Sequence, residues 1–319
     1  MTTLDIRPLS DDHPFGSRIG GVDRDRLADE GIRQELRDVF EDRGLIVFEG
    51  VDPSNEMQVA LSEVFGPPRD EFNKAVPRAR GKDTPGVIKI AANPSDCTIT
   101  EIEGKPVSGY VGWHFDACYT KALNRGGVLR VHTIPPAGGQ TGFADGIQIY
   151  EALSPEWREL AETLSIIYSQ ENMLHQQRFG VPEGFRVVQL QSEAETFLEA
   201  IKGDKRAIHP AVWQRKTGEK VLHASPFQAA AIAGRENAEG DALLDEFFRA
   251  VGQAMAPYWH SWKTTEMIIW DNWRFIHAVS GYDPKYSRTA ERTTIQGDYG
   301  LGCFEEDWTG KSPAEMHPA

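Results

Sequence analysis

Apolar residues near the start of the chain recur at the spacing of an α-helix. Residues 24–40 predict an amphipathic helix that ends at Gly44. A short apolar run follows at 45–48, and Ser54 predicts the N-cap of a second helix. We therefore expect a helical N-terminal layer over about residues 24–66. The apolar positions of the two helices are Leu27, Ile32, Leu36, Val39, Phe40, Met57, Leu61, Val64 and Phe65.

The middle and the end of the chain alternate apolar and polar residues instead. Residues 111–120 carry an apolar residue at every second position, which predicts a half-buried strand. Asp145, Ser154 and Asp241 predict the starts of three further helices. The pattern favours an α+β, mainly β fold with flanking helices. Further strands are predicted at 87–90, 127–134, 266–270, 275–279 and 292–299, and in a hairpin around 216–219.

One long stretch shows no dominant period. In residues 169–203 polar and apolar side chains interleave, which suits a mobile cover over a binding site and equally suits an ordinary surface excursion. Both interpretations stay open. We describe the region of about 169–260 as a lid-like insertion.

Composition limits the classes of function. A chain of 319 residues with 40% hydrophobic content can form one large domain or two, and we expect a single domain over residues 1–319. The chain has 34 Lys and Arg against 48 Asp and Glu, which gives a net charge of −14. This charge disfavours nucleic acid and anionic membranes as partners, because both are negatively charged. We expect a small-molecule substrate, and a homo-oligomer stays open.

Cysteine usage and the N-terminal sequence indicate the compartment. The cysteines are scattered, odd in number and without metal-type spacing, which argues against a disulfide framework and a zinc knuckle. The first residues lack the pattern of a signal peptide, and no apolar run is long enough to span a bilayer. We therefore expect a soluble protein of the reducing cytoplasm.

Two distant segments carry candidate metal ligands. His114 and Asp116 are two residues apart on the predicted strand, so their side chains project from one face and can bind one cation. Taken alone, this pair is a common arrangement without a metal. His277 adds a second imidazole far along the chain. Two histidines and one carboxylate form the facial triad that binds non-haem Fe(II) and leaves coordination positions open.

The motif and its spacing resemble the taurine dioxygenase family of Fe(II)- and 2-oxoglutarate-dependent oxygenases. Arg288 follows His277 by eleven positions, as the family's arginine follows its distal histidine. The resemblance covers most of the chain from about Leu45 onward. It implies a double-stranded β-helix, or jelly-roll, whose mouth holds Fe(II), with 2-oxoglutarate and O2 as co-substrates. His114, Asp116 and His277 would then be the metal ligands and catalytic residues.

The resemblance also assigns roles to residues that are ordinary when taken alone. Thr141, a turn threonine by its local sequence, and Arg288 would bind the distal carboxylate of 2-oxoglutarate. Arg292 would bind the anion of the main substrate. Trp270 matches a family tryptophan near the metal and is also suited to the core.

The sequence disfavours taurine as the substrate. Family members that oxidise taurine have a histidine, a tyrosine and an asparagine at positions that this chain does not match, and Tyr110 stands at the place of the asparagine. With Arg292, the aromatic residues Tyr110, Trp113 and Phe72 suggest a substrate-binding set for a bulkier, partly apolar acid.

Three hypotheses follow. The first is a dioxygenase that couples decarboxylation of 2-oxoglutarate to hydroxylation of a small, anionic organic substrate. The second uses the same iron chemistry for desaturation, cyclisation or C–X cleavage. The third is a non-catalytic jelly-roll protein that has retained the metal site.

Overall fold

Strands dominate the part of the chain that the structure, a computed structural model, describes, namely residues 4–69 and 86–311. The fold is mixed α/β with mostly strand content, as the sequence predicts. The strands are β1 (Asp5–Ser10), β2 (His13–Gly20), β3 (Leu45–Glu49), β4 (Val87–Ala92), β5 (Ile99–Ile102), β6 (Lys105–His114), β7 (Gly126–Thr133), β8 (Thr141–Asp145), β9 (Ser165–Tyr168), β10 (Arg186–Gln189), β11 (Ala207–Pro210), β12 (Val212–Gln214), β13 (Lys220–Leu222), β14 (Ala229–Ile232), β15 (Tyr258–His260), β16 (Glu266–Asp271), β17 (Phe275–Tyr282), β18 (Arg288–Ile295) and β19 (Cys303–Phe304). The α-helices are α1 (Glu30–Arg43), α2 (Asn55–Phe65), α3 (Gly146–Ala152), α4 (Pro155–Thr163), α5 (Ala194–Ile201) and α6 (Ala238–Ala254), and single 3-10 turns cover Arg26–Ala28, Leu174–Gln176 and Glu305–Asp307.

Two large sheets face each other across an apolar core. The seven-stranded sheet has the order β1-β2-β3-β16-β7-β18-β4, and the six-stranded sheet has the order β10-β5-β6-β17-β8-β15. Trp270 and Ile268 from β16 pack between the sheets against Phe143 of β8 and Phe275 of β17. The burial of these large side chains supplies much of the driving force that holds the sheets together.

The predicted helical layer covers the outer side of the seven-stranded sheet. Met57 and Leu61 of α2 and Leu36 of α1 pack with Ile46 and Ile269 of the sheet. The Ser54 hydroxyl caps α2, and Gly44 ends α1 with a φ of 71°, a conformation that glycine adopts without strain. The first helix begins at Glu30 rather than Arg24, because the carboxylate of Asp29 accepts the N–H of Gly31 and caps it there.

Several predicted strand and helix bounds are wrong. β6 ends at His114, so Asp116 lies in a turn rather than on a strand. β18 begins at Arg288, and α6 is capped by Asn237 rather than by Asp241. The hairpin of β1 and β2 was not predicted, because its sequence lacks clear alternation and its position depends on the parallel pairing of β2 with β3.

The region 169–260 contributes regular structure. β10 and β15 from this region form the two edges of the six-stranded sheet, through pairing with β5 and β8. β11 and β14 flank β9 in a four-stranded sheet, and β12 pairs with β13 as the predicted hairpin. α6 packs its apolar face against this half of the molecule through Leu244, Phe247 and Val251.

None of the helices in the described ranges combines the length and apolarity needed to cross a lipid bilayer. Cys97, Cys118 and Cys303 are buried free thiols.

Candidate metal and co-substrate site

Strand pairing brings the two predicted histidine ligands together. His277 of β17 lies opposite His114 at the end of β6, and their ring centroids are 4.1 Å apart. Directly opposite residues of antiparallel strands have neighbouring side chains on one face. Two histidines that are far apart in the sequence therefore point to the same place.

The third predicted ligand is positioned by a turn and a buried asparagine. Asp116 follows the end of β6, and Ala117 after it has a φ of 60°, an uncommon conformation for a non-glycine residue. The Asn272 side chain accepts the N–H of Asp116 at 2.8 Å and donates to its carbonyl at 3.1 Å. These two hydrogen bonds fix the peptide that carries the carboxylate.

The three side chains fit a divalent metal. Each offers one ligand atom, and these atoms lie within 4.8 Å of one another. The Nδ1 of His114 donates to the Gly112 carbonyl at 2.8 Å, which leaves its Nε2 lone pair free for a metal. The Oδ2 of Asp116 and the Nδ1 of His277 are buried and have no hydrogen-bond partner among the residues that the structure describes. Buried polar atoms rarely remain unpaired unless another species completes them.

The electrostatics of the cluster favour the protonation states that a metal requires. Burial lowers the pKa of His114 and of His277, so both imidazoles are neutral. Burial alone would raise the pKa of Asp116, but the charge of Arg292 and its hydrogen bond lower it below its usual value. Neutral imidazoles and an ionised carboxylate are the forms that bind Fe(II).

Arg292 lies directly beside the three candidate metal ligands His114, Asp116 and His277, which we call the metal cluster. Its Nη1 donates to Oδ1 of Asp116 at 2.7 Å, and its Nε is buried without a partner in the described residues. Arg292 thus has donor capacity left for a further acceptor in the same cavity.

A second buried arginine, Arg288 at the start of β18, contacts the turn that leads into β8. Arg288 is 8% exposed, its Nε donates to the Gly139 carbonyl at 3.2 Å, and its Nη2 has no partner within the described part of the chain. Gly138 and Gly139 both have positive φ, and at Gly138 a Cβ would come within 2.4 Å of a carbonyl oxygen. The turn therefore requires glycine to present its carbonyl to Arg288.

Thr141 lies between Arg288 and the metal cluster. On β8, Phe143 pairs with His277 and Thr141 pairs with Val279, and two residues before the strand Gly139 accepts the bond from Arg288. The Thr141 oxygen accepts from the Trp262 indole at 3.0 Å, so its own hydroxyl hydrogen is available to an acceptor. Burial lowers the pKa of Arg288 to about 10, which still leaves it cationic at neutral pH. No described carboxylate pairs with this cation.

The metal cluster opens into a cavity of about 180 Å³. Its walls combine polar and apolar side chains, and several come from the region 169–228. Part of the irregular stretch therefore contributes to the walls of the cavity. The lining residues are His114, Asp116, Ala117, Tyr119, Asn124, Gln170, Met173, Phe197, Phe227, Gln228, Arg292 and Thr294.

Two residues predicted to bind substrate, Tyr110 and Trp113, do not line this cavity. Tyr110 and Trp113 line a separate cavity of about 680 Å³ with Trp259. An extra residue in β6 between Val111 and His114 shifts the register, and Trp113 lies on the sheet face opposite His114. Phe72 lies outside the described residues. Trp270, in contrast, packs 4.8 Å from His277 between ring centroids.

Some residues of the site were missed by sequence reasoning. Thr294 could have been found, because it is two positions after Arg292 on the same strand face. Asn272 and Gln228 gave no local signal, since each reaches the site through a turn or a loop that only the folded chain positions. Gln228 has a φ of 69°, and such uncommon backbone conformations cluster at functional sites.

Comparison with known proteins agrees with this geometry. The family model described as taurine catabolism dioxygenase TauD, TfdA family, matches residues 5–294. The chain belongs to the TauD/TfdA family. The match begins well before Leu45, so it includes the N-terminal hairpin that the motifs alone did not reveal.

The chain is similar over most of its length to dioxygenases named for phenoxypropionate and 2,4-dichlorophenoxyacetate. The (S)-phenoxypropionate/alpha-ketoglutarate-dioxygenase of Sphingobium herbicidovorans is 30% identical over 299 residues, which cover 92% of this chain and 96% of the relative. The alpha-ketoglutarate-dependent 2,4-dichlorophenoxyacetate dioxygenase of Burkholderia sp. is 26% identical and covers 88% and 91%. The crystal structure of AAD-2 in complex with Mn(II) and N-oxalylglycine has a TM-score of 0.67, 22% identity, and coverage of 93% and 98%. This structural similarity shows the fold.

The TauD/TfdA protein described here is therefore an Fe(II)- and 2-oxoglutarate-dependent dioxygenase that uses O2 and acts on a small molecule. The hypothesis of a non-catalytic metal-binding protein is wrong, because the matched relatives are oxidoreductases.

Proposed function

We propose that this dioxygenase hydroxylates a small organic acid that carries an apolar, aryl-sized body. The observation that carries the proposal is Arg292, a cation with a free buried Nε in the cavity that contains the predicted metal ligands. A guanidinium in a confined site favours an anionic ligand, because carboxylates match its charge and its planar donors.

In this proposal His114, Asp116 and His277 hold Fe(II) on one face and leave the other positions open. Bound iron with 2-oxoglutarate and O2 supplies the oxidant that removes hydrogen from a substrate C–H bond. The protein orients that bond and excludes water. The unpaired Oδ2 of Asp116, the Nε2 of His277 that faces Asp116 at 3.9 Å and the His114 tautomer set by Gly112 support the ligand roles.

Arg288 and Thr141 are proposed to bind the distal carboxylate of 2-oxoglutarate. The support is a buried guanidinium without a described carboxylate partner and a neighbouring hydroxyl with a free hydrogen. Arg288 of β18 contacts Gly139 just before β8, Thr141 begins β8, and Phe143 of β8 pairs with His277. Successive residues on one strand face are about 6.6 Å apart. The co-substrate can therefore extend along the strand, with its keto acid end at the metal and its other end at Arg288.

Arg292 and the apolar cavity walls define the class of main substrate. Phe227, Phe197 and Met173 provide apolar surface opposite the arginine. A carboxylate with an aryl group satisfies both parts of this lining. Relatives named for phenoxypropionate and 2,4-dichlorophenoxyacetate support the same class.

Hydroxylation beside an ether oxygen has a defined outcome. One oxygen atom of O2 enters the C–H bond next to the ether, and the other enters succinate as 2-oxoglutarate loses CO2. The hydroxylated carbon then loses the phenol and becomes a carbonyl, so the products are a phenol and an oxo acid. Release of phenol therefore reports the reaction directly.

Finer features of the architecture are also proposed. We infer that the two facing sheets form a double-stranded β-helix within one domain, and that the region 169–260 acts as its cover. The two-sheet topology and the residues that the region 169–228 contributes to the cavity support this. A cytoplasmic location and the absence of nucleic-acid and membrane partners stay predictions, and a homo-oligomer stays open.

The test is succinate formation with a substrate series at saturating 2-oxoglutarate and Fe(II). The series contains phenoxyacetate, both enantiomers of 2-phenoxypropionate, 2,4-dichlorophenoxyacetate, taurine and the amide of phenoxyacetate. We expect aryloxy acids to stimulate succinate and to release phenol in equal amount, whereas taurine and the amide remain near background. Stimulation by the amide equal to that by the acid would contradict the proposal, and His277→Ala provides the inactive control.

A further inference from the structure

A buried threonine hydroxyl shares the metal cavity with Arg292. Thr294 follows Arg292 by two positions on β18, which places both side chains on the face that points between the two sheets. Thr294 is 1% exposed and lines the same cavity as Asp116 and Arg292. Its hydroxyl has no hydrogen-bond partner among the described residues.

The neighbouring threonine on the same strand behaves differently. Thr293 points to the outer side of the sheet, where its hydroxyl contacts that of Ser62 and donates to the Val128 carbonyl at 3.4 Å. Most buried hydroxyls in folded proteins are bonded in this way. The hydroxyl of Thr294, unpaired among the described residues, is therefore available to a ligand in the cavity.

The arrangement of Arg292 indicates where that partner binds. Its Nη1 donates to Asp116, and its Nε has no partner in the described part of the chain. Nε is closer to the β18 backbone than Nη1 along the arginine side chain, and the short threonine side chain also holds its hydroxyl close to that backbone. Two unpaired donors on one strand face thus border the same space.

We propose that Thr294 is a substrate-binding, specificity-determining residue. Its hydroxyl and Arg292 form a two-donor clamp on the carboxylate of the main substrate. One carboxylate oxygen accepts from the guanidinium and the other accepts from the threonine. Two contacts fix the rotation of the acid as well as its position, and so they fix which C–H bond faces the metal. This inference rests on the proposed function.

The experiment compares Thr294→Val with wild type. Valine matches threonine in shape and in strand preference but cannot donate a hydrogen bond. We measure the binding of 2,4-dichlorophenoxyacetate by calorimetry to protein loaded with Mn(II) and 2-oxoglutarate, and we measure turnover with Fe(II). We expect the Kd and the KM for the acid to rise by about tenfold or more, because a hydrogen bond to a charged group is lost. The KM for 2-oxoglutarate and the affinity for Mn(II) should stay at wild-type values.

Three further variants separate substrate binding from folding. Thr294→Ser keeps the donor and should restore the KM for the acid to within about threefold of wild type. Thr294→Cys, a poor donor of similar size, should behave like Thr294→Val. Thr293→Val removes an outward hydroxyl, so its melting temperature should fall while its KM for the acid stays unchanged.

The outcomes are distinguishable. If wild type binds and oxidises the acid but Thr294→Val has the same Kd and KM, the role of Thr294 is overturned and the proposed function stands. Equal losses in binding of the acid, 2-oxoglutarate and Mn(II) would also overturn it, since they indicate a general structural effect. If wild type neither binds nor oxidises any acid of the series, the proposed function fails and the clamp fails with it.

Discussion

Arg292 donates a hydrogen bond of 2.7 Å from Nη1 to Oδ1 of Asp116. The same Asp116 oxygen lies 3.9 Å from Nε2 of His277. One carboxylate therefore joins the proposed anion site to the proposed metal site. The charge of Arg292 helps keep this carboxylate ionised, and the carboxylate in turn orients the guanidinium in the cavity.

Replacement of Arg292 should affect the main substrate selectively. In Arg292→Leu we expect the KM for aryloxy acids to rise by about thirtyfold or more, because removal of one partner of a desolvated charge pair costs roughly 2–5 kcal/mol. The measurement is the KM for the acid at saturating 2-oxoglutarate. Arg186→Leu removes an exposed arginine that pairs with Glu101 and serves as the control for overall charge. A neutral substrate turned over equally by wild type and Arg292→Leu, with acids inert, would contradict the role of Arg292.

Replacement of Arg288 should affect the co-substrate instead. Arg288→Ala should raise the KM for 2-oxoglutarate by about thirtyfold or more, since its guanidinium is buried and its loss leaves the distal carboxylate unpaired. The KM for the acid should change much less. Steady-state kinetics with each substrate varied in turn checks this, and an unchanged requirement for 2-oxoglutarate would exclude Arg288 from that site.

Asn272 should contribute to metal affinity without touching the metal. In Asn272→Ala the peptide of Asp116 loses both of its hydrogen bonds to the Asn272 side chain. We expect Mn(II) affinity to fall by about tenfold or more, the usual effect of losing a group that supports a ligand. Asn124→Ala is the matched control, because Asn124 bonds to Asn272 but not to Asp116. If the affinity for Mn(II) is equal in wild type and in both variants, the turn positions Asp116 without help from Asn272.

His209 should make the fold sensitive to acid. Its Nε2 donates to the Thr120 carbonyl at 2.8 Å and its Nδ1 accepts from Tyr299, so the buried ring must be neutral. Burial lowers its pKa to about 4. The unfolded state, with a pKa of about 6.5, binds a proton first as the pH falls. The contribution of the neutral His209 ring to the free energy of unfolding is therefore fully present above about pH 6.5. It decreases between about pH 6.5 and 4, by up to roughly 3 kcal/mol.

The check is urea unfolding at pH 8 and pH 5 with excess chelator, so that metal release does not contribute. His209→Gln should be less stable than wild type at pH 8 and should lose less stability on acidification. An equal loss in both proteins would show that His209 does not titrate in this range.

Local signals predicted the parts of the fold that depend on local chemistry. Ser54 caps α2 and Gly44 ends α1 where the sequence places them, because capping uses neighbouring backbone groups. The start of α1 was misplaced because Asp29 competes with the earlier residues as a cap. The parallel pairing of β2 with β3 was not predictable, since it depends on contacts between distant segments.

The residues of the candidate site also include some that the sequence predicts and some that it does not. His114, Asp116, His277 and Arg288 were identified from motif spacing, and Thr141 and Arg292 through the family resemblance. The structure brings the first three together with Arg292. Tyr110 was assigned from the position of the family's asparagine, and Trp113 as an aromatic residue near it. The extra residue in β6 changes the register before His114, and alternation cannot reveal such a bulge.

The most direct test of this account is an anaerobic titration of the Fe(II)-loaded protein with 2-oxoglutarate, followed by visible absorption. Chelation of Fe(II) by the keto acid produces a metal-to-ligand band only if the site provides adjacent open positions. We expect the band in wild type, a requirement for much more 2-oxoglutarate in Arg288→Ala, and no band in His277→Ala. A band of full strength in His277→Ala, or none in wild type, would contradict the assignment of His114, Asp116 and His277 as the iron site.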